Sequence, residues 1–420
     1  METIKEESCI PVSLVEDILS WLPPKSLVRF RCVSKSWNTL IHDPFFVSKH
    51  LHNANKKMMI MNTSSSTPLC LISSIIFSGA VVKKLSVDDS ISNPIHCSIS
   101  DMKLPFTEEI QRLYLRLGSQ CNGLICFHEF VSGTVYLCNP AINESRIISP
   151  ISSFHNISEI KTTSVGLGYD SGAKDYKIIR TARIPSRPAF IAAELYTLSS
   201  NSWKEIKFDY DNDNDREKIL FLIDRFNCRV YCKGVYYWLV FVREVGSELN
   251  QGIILFDFHD EQFSLIQLPQ ENGVEKLWIS IQVWNERVAV FCDCCPSSSS
   301  SSSIEMWVMT DGCLGCGWTK HAVIEWWLPE CPKILMFWKS DELLVEISSG
   351  MASSRKLVSY NVLTRKLREF SFGSTEPPCL KTLVSVKVGG FSYDGFISYV
   401  ESLVSVKGTQ GNNISREVVC

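Results

Sequence analysis

The sequence has no surplus of basic side chains. Its 420 residues include 42 Lys and Arg against 45 Asp and Glu, which gives a formal net charge of −3 at pH 7. Proteins that bind nucleic acid use Lys and Arg to neutralise phosphates. The composition therefore disfavours a nucleic-acid partner, and its 45% hydrophobic and 21% charged residues are typical of a globular protein.

An export signal and a membrane-spanning run are also missing. Met1–Glu7 is polar and acidic, whereas a secretory signal begins with basic residues followed by apolar ones. The most apolar stretch, Leu69–Val82, is shorter than the roughly 20 residues that cross a bilayer, and serine and glycine interrupt it. We expect no membrane association and a location in the cytosol, the nucleus or both. The 17 cysteines would then be mostly free, buried thiols.

Recognised catalytic motifs are absent. There is no P-loop, no Gly-x-Ser-x-Gly, no His-Glu-x-x-His and no RING-type zinc array, and the eight histidines are scattered. The stretch from Gly166 through Gly168 to Ser171 resembles a dinucleotide-binding loop, but it lacks the third glycine and no helix pattern follows. We predict a protein that is not an enzyme and that has no cofactor.

Two clusters look like metal sites. The alternating aspartates of Asp209–Asp215 suggest a calcium loop, but counting from Asp211 the positions that need Gly and Glu hold Arg216 and Leu222. Five cysteines are partly spaced as zinc ligands, but two of them are separated by one residue and a serine run intervenes. We favour a solvated loop and free thiols, and predict no metal site. The cysteines are Cys292, Cys294, Cys295, Cys313 and Cys316.

Residues 10–50 have the pattern of three short helices. Ser13 followed by Glu16 is a capping-box pattern that predicts the first helix, which must end at Leu22 because two prolines follow. Pro24 suits the first turn of the second helix, and Ser34 can cap the third, which Asp43-Pro44 ends.

So small a module cannot bury all of its apolar side chains. Helices of about two turns are marginal alone, and Leu14, Ile18, Leu22, Leu27 and Trp37 compete for one small core. We expect some of them to be left for a partner. The alternative is a helical cap that packs on a larger domain.

This segment resembles the F-box of plant F-box proteins. The resemblance runs from Ile10-Pro11 through Trp21-Leu22-Pro23-Pro24 and Arg31-Cys32-Val33-Ser34 to Asp43-Pro44-Phe45-Phe46. Ile10 stands where Leu usually precedes the proline, and this swap conserves volume. The resemblance implies that the helices bind the Skp-type adaptor of an SCF (Skp–cullin–F-box) ubiquitin ligase. It implies internal packing for Phe30, Val33 and Trp37. It also implies an adaptor-facing set of Pro11, Leu14, Ile18, Leu19, Leu22, Pro23, Ser26 and Leu27.

After residue 50 the sequence turns into short β-rich runs separated by turn residues. An aromatic residue marks each copy of a weak internal repeat, at intervals of 51 to 60 residues. A period near 50 is typical of kelch-like blades, so we predict a β-propeller of roughly six to seven blades; a pair of β-sandwiches is the alternative. The marking residues are Tyr136, Tyr196, Phe256, Trp307 and Tyr360.

This region is similar to the F-box-associated domain of plant F-box proteins, including the self-incompatibility (S-locus) branch. The matching strings include Ser119-x-Cys121-Asn122-Gly123, Gly166-Leu167-Gly168-Tyr169-Asp170, Lys233-Gly234-x-x-Tyr237-Trp238 and Phe337-Trp338-Lys339. The predicted fold class is α+β and multidomain, a small three-helix F-box followed by a large all-β domain. We expect the F-box in 5–50, a linker with the first β-strands in 51–114, the propeller-like domain in 115–405 and a tail in 406–420.

The resemblance implies a non-catalytic substrate receptor. The F-box would bind the adaptor, and through it cullin and RING subunits, while the β domain would bind a target protein for ubiquitination and degradation. Loops of varied chemistry could contact the target: Arg180–Arg187, Asp209–Glu217 and Ser297–Ser303. Two alternatives stay open. One is a propeller that binds a glycan or small molecule through Trp238, Trp284, Trp326 and Trp327. The other is a scaffold that binds adaptor without causing degradation.

Overall fold

The computed structural model places four α-helices before a large array of β-strands. The helices are α1 (Val12–Leu19), α2 (Pro24–Phe30), α3 (Lys35–His42) and α4 (Pro44–Met61), which together form the helical module. The structure describes residues 11–61, 66–73, 82–88, 95–102, 104–111, 115–129, 132–149, 161–183, 191–206, 218–222, 228–244, 249–270, 276–293, 302–310, 317–326, 332–349, 354–371, 387–388, 391–392, 394–397 and 399–407.

Local signals set most of the helix ends. Pro24 is the first residue of α2, and the Trp37 backbone N–H donates to the Ser34 hydroxyl at 3.2 Å to cap α3, as predicted. Asp43 ends α3 and also caps α4, because its carboxylate accepts from the Phe45 N–H at 2.8 Å. The fourth helix was not predicted, and it runs through the expected domain boundary at residue 50.

The predicted capping box of α1 is wrong. The helix begins directly after Pro11 without a side-chain cap and ends at Leu19 rather than Leu22. Glu16 forms an ion pair with Lys49 of α4 at 2.8 Å, and thus does not reach back to cap the helix.

The β domain is a five-blade propeller in which each blade is an antiparallel sheet. Blade 1 contains β4 (Leu115–Cys121), β5 (Leu124–Glu129), β6 (Val135–Asn139) and β7 (Glu144–Ile148). Blade 2 contains β8 (Lys161–Asp170), β9 (Asp175–Arg183), β10 (Ile191–Thr197) and β11 (Ser202–Ile206). Blade 3 contains β12 (Lys218–Leu222), β13 (Arg229–Cys232), β14 (Val235–Glu244), β15 (Leu249–Asp257) and β16 (Gln262–Gln267). Blade 4 contains β17 (Leu277–Trp284), β18 (Arg287–Asp293), β19 (Ser302–Met309) and β20 (Trp318–Trp326). Blade 5 contains β21 (Lys333–Lys339), β22 (Glu342–Ser349), β23 (Ser354–Asn361) and β24 (Leu367–Ser371).

Four more strands extend the sheet of blade 5. They are β1 (Ser66–Ser73), β2 (Val82–Asp88), β3 (Ile95–Met102) and β27 (Asp394–Ile397). The strand β3 pairs in parallel with β24, and β27 lies next to both β21 and β4. Where six to seven blades were expected, the structure has five separate blades, and the strands that would make a sixth are hydrogen-bonded to the fifth. The remaining elements are α5 (Glu108–Gln111), β25 (Lys387–Val388) and β26 (Phe391–Ser392).

The five copies of the sequence repeat correspond to the five blades. Each marking aromatic residue lies in the next-to-last strand of its blade, and all five are buried. Such a residue packs between neighbouring blades, because one thin sheet cannot bury both of its faces alone. The number of copies in the sequence, five, is the number of separate blades, and the expected six to seven was too high.

The first and third turns of each blade lie at the end that faces the helical module. Most of these turns are tight, and some have both residues in the left-handed region, as in Asn122-Gly123 and Lys233-Gly234, where φ lies between 48° and 86°. Turns of this type match the twist of the strands they join. None of the helices in the described part of the chain combines the length and apolarity that a membrane span needs.

Candidate adaptor-binding surface

Exposed apolar side chains are concentrated on the helical module. The described residues of the β domain expose only four large apolar side chains, Ile147, Leu277, Val323 and Leu363. The described side chains of the helical module, a much smaller set, include six that are exposed, which we call the apolar surface. A concentration of exposed apolar side chains on one module is typical of a site of protein interaction. Its members are Val12 (79% exposed), Phe45 (75%), Val33 (62%), Ile18 (54%), Leu14 (49%) and Trp21 (49%).

Helix α1 is apolar on both of its faces. Leu14 and Ile18 are four residues apart, so they lie side by side on one face of the helix, and both are exposed. The other face holds Leu19, which is 3% exposed, and the half-buried Val15. A helix that is apolar on both faces is stable when both faces are covered. Within the described residues, only the second face is covered.

The buried face belongs to a core that the helical module shares with blade 1. Leu19, Leu27, Ile41 and Phe46 pack against two side chains from outside the module. One is Ile142, in the turn between β6 and β7, and the other is Leu403, near the C-terminus. The helical module is therefore fixed to the face of blade 1.

The structure divides the eight predicted adaptor-facing residues into three groups. Pro11, Leu14, Ile18 and Pro23 are exposed. Leu22 and Ser26 are half-buried. Leu19 and Leu27 are buried, at 3% and 0% exposure, so the expectation that they face outward is wrong. They fill the core against Ile142 and Leu403, a contact that the helical spacing alone could not show.

The residues expected to pack inside are also divided. Phe30 and Trp37 are half-buried and pack edge to face with their ring centroids 5.5 Å apart. Val33 is exposed instead, and joins the apolar surface. Sequence reasoning missed Val12, Trp21 and Phe45 as members of this surface. The only signal for them was their place next to the predicted helix ends.

Helix α4 holds α1 in position. Lys49 forms ion pairs with Glu16 at 2.8 Å and Asp17 at 2.6 Å, and Asn53 donates to the Ser20 hydroxyl at 2.8 Å. His50 contacts the Leu22 carbonyl through Nε2 at 2.9 Å. Burial lowers the pKa of His50, and the hydrogen bond to Leu22 offsets this only in part. The imidazole is therefore neutral at pH 7, with Nε2–H as the donor.

The motifs that resembled chemical sites have structural roles where they are described. Gly166 and Gly168 lie in β8, where a side-chain carbon would overlap the rings of Tyr236 and Phe258 from blade 3. Their lack of a side chain lets blades 2 and 3 pack closely. Asp209–Asp215 lies outside the described residues, so the calcium pattern stays a prediction.

Some of the cysteine and tryptophan candidates also have structural roles, and the others lie outside the described residues. Cys292 is buried in β18, where its thiol contacts the Glu305 carboxylate at 3.8 Å, and the other four cysteines of the zinc-like pattern lie outside the described residues. Within the described residues, no group of three or more His, Cys, Asp or Glu is placed to hold a metal ion. Trp238 is 2% exposed in the core of blade 3, and Trp284 packs against His321 with centroids 4.2 Å apart. The side chain of Trp326 and all of Trp327 are outside the described part.

Comparisons with known proteins match the helical module and the β domain to two separate families. Residues 8–49 match the F-box domain, and residues 58–406 match the F-box associated beta propeller domain. An F-box/kelch-repeat protein of Arabidopsis thaliana is 24% identical over 82% of this chain and 86% of its own length. The putative F-box only protein 9 of the same plant is 25% identical over 98% of this chain and 100% of its own length. Among solved structures, the β-propeller domain of the trilobed protease from Pyrococcus furiosus matches 61% of this chain and 70% of its own, at 12% identity and a TM-score of 0.33.

Proposed function

The chain belongs to the plant F-box proteins that carry an F-box associated β-propeller domain, and from this premise we propose that it is the substrate-recognition subunit of an SCF-type ubiquitin ligase. The helical module binds a Skp-type adaptor and through it the cullin and RING subunits. The propeller binds a target protein, which becomes ubiquitinated and degraded. We place this target recognition in the cytosol, the nucleus or both.

The apolar surface of the helical module is the observation that carries this proposal. Leu14, Ile18 and Trp21 are each about half exposed, although an apolar helix face normally packs against something. An adaptor that covers them removes this area from water, and each square ångström of apolar area buried contributes roughly 25 cal/mol. No residue of the described chain competes for the same surface.

The mechanism implied by this arrangement is proximity rather than chemistry on this chain. A receptor that holds a target and an adaptor together converts the meeting of target lysine and ubiquitin-loaded enzyme into an intramolecular event. The helical module is fixed to blade 1 through a shared core, so the two binding sites have a defined separation. A fixed separation favours those lysines that lie within reach.

We place target binding on the blade ends away from the helical module. Except between β19 and β20, the ends near the module are joined by turns of two to five residues, and at blade 1 they are covered by the module itself. At the far ends, the connections between strands have four to twelve residues. The three loops of varied chemistry, within Arg180–Arg187, Asp209–Glu217 and Ser297–Ser303, all join strands at these far ends. Longer connections on a rigid scaffold are the usual location of recognition.

Two matched isoleucine substitutions test the adaptor-binding surface. Ile18 on α1 and Ile147 on β7 are both 54% exposed, so aspartate at either position costs the free protein little and to a similar extent. At an interface, an aspartate at position 18 would be a charge buried without a partner. We expect Ile18→Asp to weaken binding to a purified plant Skp-type adaptor by roughly thirtyfold or more, and Ile147→Asp to bind like the wild type.

The measurement is the dissociation constant of the full-length protein, by calorimetry or interferometry, after circular dichroism has shown that both variants are folded. Equal affinity of Ile18→Asp and wild type would place the adaptor elsewhere and refute the assignment of this surface. Equal losses in both variants would show that the effect is not specific to the helical module.

A further inference from the structure

The last described segment of the chain runs between the helical module and blade 1. We call residues 399–407 the C-terminal strap. It follows β27, which lies in the ring between β21 and β4. From there the strap passes the β4–β5 turn, the end of β6 and finally β7, so it crosses blade 1 from its inner strand to its outer strand. Tyr399, Ser402, Leu403, Val404 and Val406 are all buried.

Blade 1 holds the strap through two backbone carbonyls and the Tyr399 hydroxyl. The Asn139 amide, at the end of β6, donates to the Ser402 carbonyl at 3.1 Å and to the Val404 carbonyl at 2.8 Å. The Ala141 N–H donates to the Tyr399 hydroxyl at 3.1 Å. At Gly123, a side-chain carbon would overlap Ser402, so only glycine allows the strap to lie this close. These contacts fix the path of the strap along blade 1.

The side chains of the strap alternate between two partners, as they do in an extended segment. Leu403 points into the core of the helical module, where it packs with Leu19 and Leu27. Its neighbour Val404, and Val406 after it, belong instead to the core between blades 1 and 2. The strap thus completes two hydrophobic cores at once.

Glu144 links the strap to β7, the outer strand of blade 1. The Glu144 carboxylate, at the start of β7, accepts hydrogen bonds from the Ser405 hydroxyl at 2.7 Å and the Val406 N–H at 3.1 Å. It also faces Arg31, which directly follows α2. Burial lowers the pKa of Arg31, and the charge of Glu144 partly offsets this effect. One carboxylate of blade 1 therefore accepts hydrogen bonds from the strap and attracts a cation of the helical module.

We propose that the C-terminal strap is the coupling element that fixes the orientation of the helical module on the propeller. Without it, the core of the module would lose Leu403, and the contacts described for Ile142, Val47 of α4 and the charge of Glu144 would not prevent the module from moving relative to blade 1. The inference concerns the arrangement of the two parts of this chain and does not rest on ligase activity. If the proposed function holds as well, the strap sets the distance between adaptor and target.

Matched leucine truncations in the full-length protein test this role. Leu403 is 2% exposed and Leu357, in β23 of blade 5, is 4% exposed, so both lose a similar buried side chain on substitution by alanine. We expect Leu403→Ala to speed amide hydrogen exchange in α2 and α3 by roughly tenfold or more, because the core of the helical module opens. Leu357→Ala should leave exchange in these helices unchanged.

Small-angle scattering of the same variants reports the orientation. We expect a larger radius of gyration for Leu403→Ala than for the wild type, and no change for Leu357→Ala. Unchanged exchange in α2 and α3, or faster exchange without any change in scattering, would overturn the proposal, because the module would then stay seated without the strap. Should Leu403→Ala fail to fold, Leu403→Val removes less volume and must show the same two effects to a smaller degree.

Discussion

Replacing Lys177 with methionine removes a cation that ties two blades together. Lys177 lies in β9 of blade 2, and its ammonium contacts Asp170 of the same blade at 2.7 Å. It also reaches blade 3, where it contacts the Glu261 carboxylate and the Phe258 carbonyl, both at 2.8 Å. The Lys177 and Asp170 side chains are 7% and 2% exposed, so water cannot replace the lost cation.

The loss of stability expected for Lys177→Met depends on the hydrogen bonds that Asp170 keeps. Removing one partner of a buried ion pair destabilises by about 3–5 kcal/mol. Asp170 keeps hydrogen bonds from the backbone N–H groups of Gly172 at 2.9 Å and Ala173 at 3.0 Å. We therefore expect a loss near the lower limit, about 3 kcal/mol. With an unfolding entropy of about 2.1 cal/mol/K per residue, this lowers Tm by about 4 °C for a domain of this size.

Lys204 provides the matched control, because it pairs with the same Glu261 but is 51% exposed. An exposed pair contributes at most about 1 kcal/mol, so Lys204→Met should cost far less than Lys177→Met. Urea denaturation of the full-length variants at pH 7 gives both free energies of unfolding. Similar losses in the two variants would refute the claim that burial decides the strength of this contact.

The cost of Lys177→Met should also depend on pH. Burial raises the pKa of Asp170, but hydrogen bonds from Lys177, Ala173 and His259 outweigh it and lower the pKa to about 2. A carboxyl group with a lowered pKa stabilises the fold above its unfolded value, about 3.9, and loses this contribution as the pH falls toward 2. Without Lys177 the pKa of Asp170 rises, so its carboxylate becomes protonated at a higher pH in the variant than in the wild type. The difference from wild type should therefore be full at pH 6–7 and smaller near pH 3.

Three further outcomes follow from single contacts. Gly168→Ala should destabilise the fold by about 1–3 kcal/mol in urea denaturation, because its new methyl group overlaps a phenyl ring of blade 3; Gly252→Ala, where the nearest atom is 3.3 Å away, should cost less. Ser34→Ala should cost about 1 kcal/mol, measured by the thermal melting of the helical signal, because it removes the cap of α3. Alkylation followed by mass spectrometry should modify the exposed Cys32 first and Cys121 far more slowly, since burial raises the pKa of the Cys121 thiol to about 12.

The sequence predicted those features that local chemistry decides. Ser34 and Pro24 act where they were placed, since a cap or a first-turn proline needs only its neighbours in sequence. The capping box at Ser13 failed because α1 already begins at Val12, so that Ser13 lies inside the helix, and Glu16 pairs instead with Lys49 of α4. The aromatic residues of the repeat marked the blades because each blade repeats the same packing problem.

Only part of the apolar surface could be predicted from the sequence. The F-box resemblance assigned Leu14 and Ile18 to the adaptor-facing set, and both are exposed, but the helical spacing could not decide which leucines face outward. That decision depends on Ile142 and Leu403, which approach from blade 1 and from the far end of the chain. No pattern in the first fifty residues contains this information, and so Leu19 and Leu27 were assigned to the wrong side.

The most direct test of the account is the heat capacity change when the full-length protein binds a Skp-type adaptor. Titration calorimetry at several temperatures measures it. Burial of apolar area gives a negative value, and Ile18→Asp should reduce both the affinity and this signal, while Ile147→Asp should change neither. If the folded wild-type protein does not bind the adaptor, or binds it with no negative heat capacity change, the exposed face of α1 is not the docking surface and the receptor function is wrong.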